Sequence, residues 1–171
     1  ADGETFPIEL TVTRSGSQAA PRFTAFIRDL TEQRKLAEAV SSFATRDIVS
    51  GLDRYVAVEP RLARMLADAG TFTAAMLVDL DRFHGINESI GYGPADKVLR
   101  VVGDRLKTLA GEQVAVCHVA SDEFVVVVHG GDGASARQLA EHVRDLLSQP
   151  LETTDYRMRL TATIGMSCAP E

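Results

Sequence analysis

Several things are scarce in this sequence, and each scarcity excludes a class of protein. Basic residues are in deficit, with 18 Lys and Arg against 24 Asp and Glu and a formal net charge of -6. No basic stripe is present to neutralise phosphates, which excludes a general nucleic-acid binder. Only two cysteines occur among 171 residues. Cys117 and Cys168 both lie in apolar, strand-like runs and read as reduced core residues, not as a disulfide. There is no leader-like N-terminus and no run of about 18 apolar residues, so the expectation is a soluble, cytoplasmic chain without membrane contact. Low-complexity tracts and internal repeats are also missing. What the chain does have is 45% hydrophobic content, enough for one sizeable core.

Phe6, Ile8, Leu10 and Val12 alternate with polar neighbours, the period of a half-buried strand. SGSQAAPR then reads as a turn and FTAFI as a returning strand, predicting a β-hairpin over residues 1–30. Asp29 with Glu32 has the spacing of a capping box, so a helix is expected to start near Thr31 and run to about residue 46. Its Leu36, Val40 and Phe43 form a narrow stripe suited to a partner helix. GETFPIELTV and FTAFIRDLTEQRK resemble the closing strands and exit helix of a PAS sensor domain, over residues 1–35. That resemblance implies a fragment of a longer sensor chain; an ordinary N-terminal hairpin is the alternative.

A second unit is expected over residues 47–171. A turn at Ser50-Gly51 leads to a helix with Val58, Leu62 and Leu66 on one face. TAAMLVDL reads as a buried strand. PADKVLRVVGDRLKTLA reads as an amphipathic helix opened by Pro94 and followed by Gly111. VAVCHV and FVVVVHG are two strands joined through ASDE, SARQLAEHVRDLLSQ is a further helix, and YRMRLTATIGMS is a last strand. The order α-β-α-β-β-α-β predicts an α+β fold, an antiparallel or mixed sheet with helices on one face.

The acids carry the chemistry. Asp79 ends one strand with Asp81 two residues on, and Asp122 and Glu123 stand at the brink of another, where the one nearby basic residue is His118. If these strands are neighbours, two or three carboxylates converge at one end of the sheet. Like charges gathered there call for a cation. Oxygen ligands select Mg2+ or a similar hard ion, which completes its shell with phosphates and water. A backbone carbonyl at Leu80 is a further candidate ligand. Together these features suit a nucleotide site for metal-assisted phosphoryl transfer.

DLDRFHGINESIGYGPADKVL resembles the D-x-D-x-F-K-x-I-N-D-x-x-G-H-x-x-G-D-x-x-L segment of the GGDEF family of diguanylate cyclases. ASDEF stands at the G-G-D/E-E-F position, LTATIGMSCAP resembles V-T-x-S-I-G, and VSGLDR resembles L-T-G-L-x-N-R. The resemblance implies a five-stranded sheet of the nucleotidyl cyclase and palm type, ferredoxin-like. It also implies condensation of two GTP into cyclic di-GMP by two domains meeting face to face. Carried onto this chain, Asp79, the Leu80 carbonyl and Asp122 hold Mg2+ or Mn2+. Glu123 assists the metal or activates the 3′-hydroxyl, which makes Asp122 and Glu123 the catalytic pair. Asn87 and Asp96 read guanine, an amide and a carboxylate matching its donor and acceptor edges. Phe83, His84 and Ser121 complete the nucleotide contacts, although Phe83 and Ile86 also read as packing.

The chain departs from this pattern in places. Ala120 and Ser121 replace the two glycines, and a side chain is unfavourable wherever φ is positive or a phosphate must come close. His84 stands in place of a phosphate-facing lysine, Tyr92 of a histidine, Ala95 of a glycine, and Glu88 of an aspartate. The sequence stops short of the family's last helix and strand, which implies C-terminal truncation. Gly111-Glu112-Gln113-Val114 occupies the position of the R-x-x-D product site without its Arg or Asp, so feedback inhibition there is not expected. Three functions follow as expectations. The first is a regulatory GTP-binding module between a PAS sensor and an EAL phosphodiesterase domain. The others are an active diguanylate cyclase working as a homodimer, and a dimerisation relay without nucleotide.

Overall fold

The computed structural model describes residues 5–17, 20–35, 44–68 and 70–169. The chain divides into two compact units, Ala1–Phe43 and Ala44–Glu171. In the first, β1 (Ile8–Ser17) and β2 (Ala20–Asp29) pair antiparallel, with Leu10 opposite Ile27 and Val12 opposite Ala25. The alternation does set this register, but Phe6, Ile8, Leu10 and Val12 are 46–59% exposed, more than a half-buried strand implies. Helix begins at Thr31, as the sequence predicts, with the Asp29 carboxylate accepting from the Thr31 N–H at 2.8 Å. The Leu36, Val40 and Phe43 stripe lies outside the described residues.

In the second unit, the elements run β3 (Asp53–Arg54), α1 (Tyr55–Ala67), β4 (Thr73–Leu80), α2 (Phe83–Ile90) and α3 (Tyr92–Lys107). They continue through β5 (Val114–Ala120), β6 (Glu123–His129), α4 (Gly133–Ser148), the short β7 (Leu151–Glu152) and β8 (Arg157–Met158), and β9 (Ala162–Ala169). Five strands form one sheet in the order β3-β5-β6-β4-β9. It is mixed: β3 runs parallel to β5, while the pairs β5–β6, β6–β4 and β4–β9 are antiparallel.

The expectation of helices on one face is corrected by the core. Ala74, Met76, Val78 and Leu80 of β4 pack with Val98, Val102 and Leu106 of α3 and Val143 and Leu147 of α4. On the opposite face, Ala115 and Cys117 of β5 and Val127 of β6 pack under Val58, Leu62 and Met65 of α1. The cause is local composition, because VAVCHV and FVVVV are apolar at consecutive positions and both of their faces need cover. Met65 takes the buried place expected of Leu66, which is 61% exposed.

Two further expectations change. Helix α2 falls within the motif segment, where the sequence reading placed ligand and packing residues but no helix. The expected last strand is broken: β8 pairs with β7, and Leu160 turns into the core before β9 begins. Gly103, inside α3, has a tight packing reason. A Cβ there would lie 2.1 Å from the Ser50 carbonyl oxygen, so α3 is held against the turn before β3.

Candidate functional site

Neighbouring strands bring the acids together. Asp79 on β4 is directly opposite Glu123 on β6, and directly opposed residues of an antiparallel pair project to the same face of the sheet. Asp122 precedes Glu123 in the two-residue turn between β5 and β6. The Asp122 carbonyl accepts from the Leu80 N–H at 3.2 Å, tying this turn to the end of β4. Like charges directly opposite each other are destabilising, and none of Asp79, Asp122 and Glu123 has an ion-pair partner among the described residues. Oxygen donors gathered in this way fit a hard cation such as Mg2+. Among the described residues no group of three His, Cys, Asp or Glu side chains is arranged to hold a metal. Two carboxylates and a carbonyl with open positions for phosphate and water remain compatible with Mg2+.

Asp81 is set apart from this pair. Its oxygens accept from the Thr161 hydroxyl at 2.5 Å and the Thr163 hydroxyl at 2.7 Å. Those hydrogen bonds, Thr161's first, hold its carboxyl below the usual carboxylate range. Its N–H donates to the Thr161 carbonyl at 2.9 Å, so Asp81 fastens the end of β4 to the start of β9. A cavity of about 640 Å³ opens beside it, lined by Asp79, Asp81, Arg82, Ile86, Arg159, Leu160 and Thr161.

The remaining candidates divide. Asn87, half-buried on α2, and Asp96, exposed on α3, lie either side of Gly91, whose φ of 81° turns one helix into the next. Phe83 is only 2% exposed and belongs to the core, so it packs and does not line the cavity. His84 lies on the exposed side of α2, 3.3 Å from Glu88 one helical turn on. Ser121 has φ 46°, in the left-handed region, whereas Ala120 ends β5 without a positive φ. Of the two positions where the family pattern has glycine, Ser121 is the one at a φ that favours glycine. His118, the one base near the acids in sequence, pairs with Asp47 at 3.0 Å.

A family profile described as "Diguanylate cyclase, GGDEF domain" matches residues 44–171, most of the chain. This chain belongs to the GGDEF family. Among curated relatives, diguanylate cyclase DgcM of Escherichia coli K12 is 30% identical over 82% of this chain and 35% of its own length. Diguanylate cyclase TpbB of Pseudomonas aeruginosa is 29% identical over 91% of this chain and 38% of its own. The chain thus spans less than two fifths of either relative. A crystal structure of a sensory box/GGDEF family protein from Caulobacter crescentus matches with a TM-score of 0.67 and 27% identity, covering 74% of this chain and 84% of that one. The GGDEF fold accounts for the five-stranded sheet and for the position of ASDEF at the β5–β6 turn. No helix among the described residues is long and apolar enough to cross a membrane.

Proposed function

We propose that this GGDEF domain is a GTP-binding module of a cyclic di-GMP signalling protein, and that it regulates an attached output domain more than it makes product. The observation that carries the reading is the opposed pair Asp79 and Glu123, without an ion-pair partner among the described residues, together with a cavity the size of a small ligand that Asp79 lines. Asp79, the Leu80 carbonyl and Asp122 would hold Mg2+, with Glu123 beside them. When bound, the ion offsets the charge of carboxylates and phosphates and polarises the phosphorus. Asn87 and Asp96 would receive guanine. Arg82, whose charge also acts on Asp81, and Arg159 line the cavity, and they are suited to phosphate oxygens in place of the outward-turned His84.

The regulatory emphasis rests on Ser121. A non-glycine residue at φ 46° in the turn that faces nucleotide costs about 1–3 kcal/mol in strain, enough for a tenfold or greater loss of turnover. In this reading the N-terminal hairpin is the end of a PAS sensor, and the output is an EAL phosphodiesterase domain in the longer native protein. A second reading is an active, slow cyclase working as a homodimer. It is supported by the presence of both Asp122 and Glu123 and by two relatives named as diguanylate cyclases.

Calorimetric titration of the longer native chain with GTP and Mg2+, followed by chromatography of the same sample, separates these readings. Binding without cyclic di-GMP is the expected result. Binding with product would favour the cyclase, and absence of binding would overturn the nucleotide reading. Arg159→Ala is expected to weaken GTP binding about tenfold.

A further inference from the structure

His118 is only 7% exposed, on β5. Its Nδ1 lies 3.0 Å from Asp47 Oδ1, its Nε2 lies 3.0 Å from the Ser121 carbonyl oxygen, and its ring stacks on Phe124 with centroids 4.6 Å apart. Asp47 Oδ1 also accepts from the Ser50 N–H at 2.8 Å, the Ser50 hydroxyl at 3.0 Å and the Val49 N–H at 3.1 Å. Its other oxygen faces the Arg54 guanidinium at 3.3 Å. Surrounded by donors, Asp47 is a carboxylate.

The consequence for His118 is a matter of counting protons. A carboxylate oxygen and a peptide carbonyl can only accept, so each ring nitrogen must donate for both contacts to be hydrogen bonds. Only the doubly protonated ring does so. A neutral ring keeps its proton toward the charged Asp47 and sets a lone pair against the Ser121 carbonyl.

That carbonyl belongs to the strained turn residue, φ 46°. The next peptide is tied by the Leu80 N–H to the Asp122 carbonyl. His118 therefore supplies the charge-assisted bond holding Ser121, and such bonds are the stronger kind. The charged groups nearest His118 in the fold are Asp47 before β3 and Arg54, which is opposite His118 in the β3–β5 register, with Asp122 in the turn and Glu123 at the start of β6 further along the chain. Asp53, the neighbour of Arg54, is paired to Arg46 at 3.7 Å. Arg54 disfavours a second positive charge, and Asp47 lies against both.

We propose that His118 is the positioning residue of the Ser121–Asp122 turn and acts in its doubly protonated form, so that GTP and Mg2+ bind more tightly when the ring is charged and less tightly once it is neutral. The affinity part rests on the GTP-site reading; the tether itself does not.

Two measurements on the full chain test it. Nitrogen-15 NMR of the histidine rings, with His118 identified by its loss in His118→Arg, should find both His118 nitrogens protonated in the form that holds the turn, and Nε2 without its proton in the form that does not. The Ser121 and Asp122 amide signals should move in step. A single neutral tautomer wherever the domain is folded, or turn amides indifferent to the ring, would overturn the tether. Calorimetry with GTP and Mg2+ should then show affinity falling about tenfold between protonated and neutral ring. His118→Arg, with its fixed charge, should remove that dependence while keeping the ligand's own protonation. If the arginine does not fit the buried site, Ser121→Gly serves instead, because relief of the strain should flatten the same profile. A profile unchanged in either variant would overturn the regulatory claim. Absence of GTP binding with the ring and amides coupled would overturn the affinity part and the GTP reading, leaving the tether supported.

Discussion

Ser121 sits where a Cβ is least favourable, at φ 46° in the turn presenting Asp122. Replacing it with glycine is expected to stabilise the domain by about 1 kcal/mol, as read by chemical denaturation, and to tighten nucleotide binding. The cysteines make a second test at this scale. Burial, with Asp53 nearby, pushes the Cys117 thiol up to about 11, and the residue is 1% exposed. Cys168 is half-buried. A thiol is a weak nucleophile until it ionises, so alkylation of the native chain should modify Cys168 first, with Cys117 reacting only on unfolding. Mass spectrometry of the digested product distinguishes the two sites.

At the scale of elements, β4 and β6 place Asp79 and Glu123 opposite one another at a cost in the metal-free chain. Glu123→Gln is expected to raise stability by about 0.5 kcal/mol without divalent cations and, on the proposed metal-site reading, to reduce the gain expected from Mg2+. Thermal melts with and without Mg2+ measure both effects. Helix α4 is finished by α3: Arg105 donates to the carbonyls of Leu146, Leu147, Gln149 and Pro150. A guanidinium at a helix C-terminus satisfies carbonyls that have no helical partner. Arg105→Ala should therefore lower stability by about 1–3 kcal/mol, with the loss appearing first in hydrogen exchange of the last turn of α4.

The molecule as a whole depends on carboxylates that are ionised and hydrogen-bonded. Burial works against ionisation of Asp47, but hydrogen bonds from Ser50 and His118 outweigh it, and its carboxyl lies below the usual range. Asp81 is lowered by the Thr161 and Thr163 hydroxyls. Each folded-state value lies below the unfolded one, so the stability supplied is fully present above the ordinary carboxylate value of about 3.9. It is lost as pH falls through the folded values. Urea denaturation midpoints should accordingly drop as pH is lowered from about 5 toward 2, less steeply in Asp81→Asn.

The sequence by itself determined the strands and most helices of the second unit, because a two-residue period, apolar runs and turn residues are local properties. It also singled out Asp79, Asp122 and Glu123 as candidate ligands, because their spacing matches a family pattern. Tertiary structure alone decided their separate uses. The register of β4 against β6 opposed Asp79 to Glu123, while the start of β9 withdrew Asp81 by giving it two hydroxyls. The second helical face was legible in principle from two continuous apolar strands, but which helix covered it depended on chain packing. The partner of His118 was not legible, because Asp47 lies 71 positions away in the chain and reaches it through the pairing of β3 with β5. Local pattern fixes which groups a strand offers; the pairing of distant strands decides which charges meet.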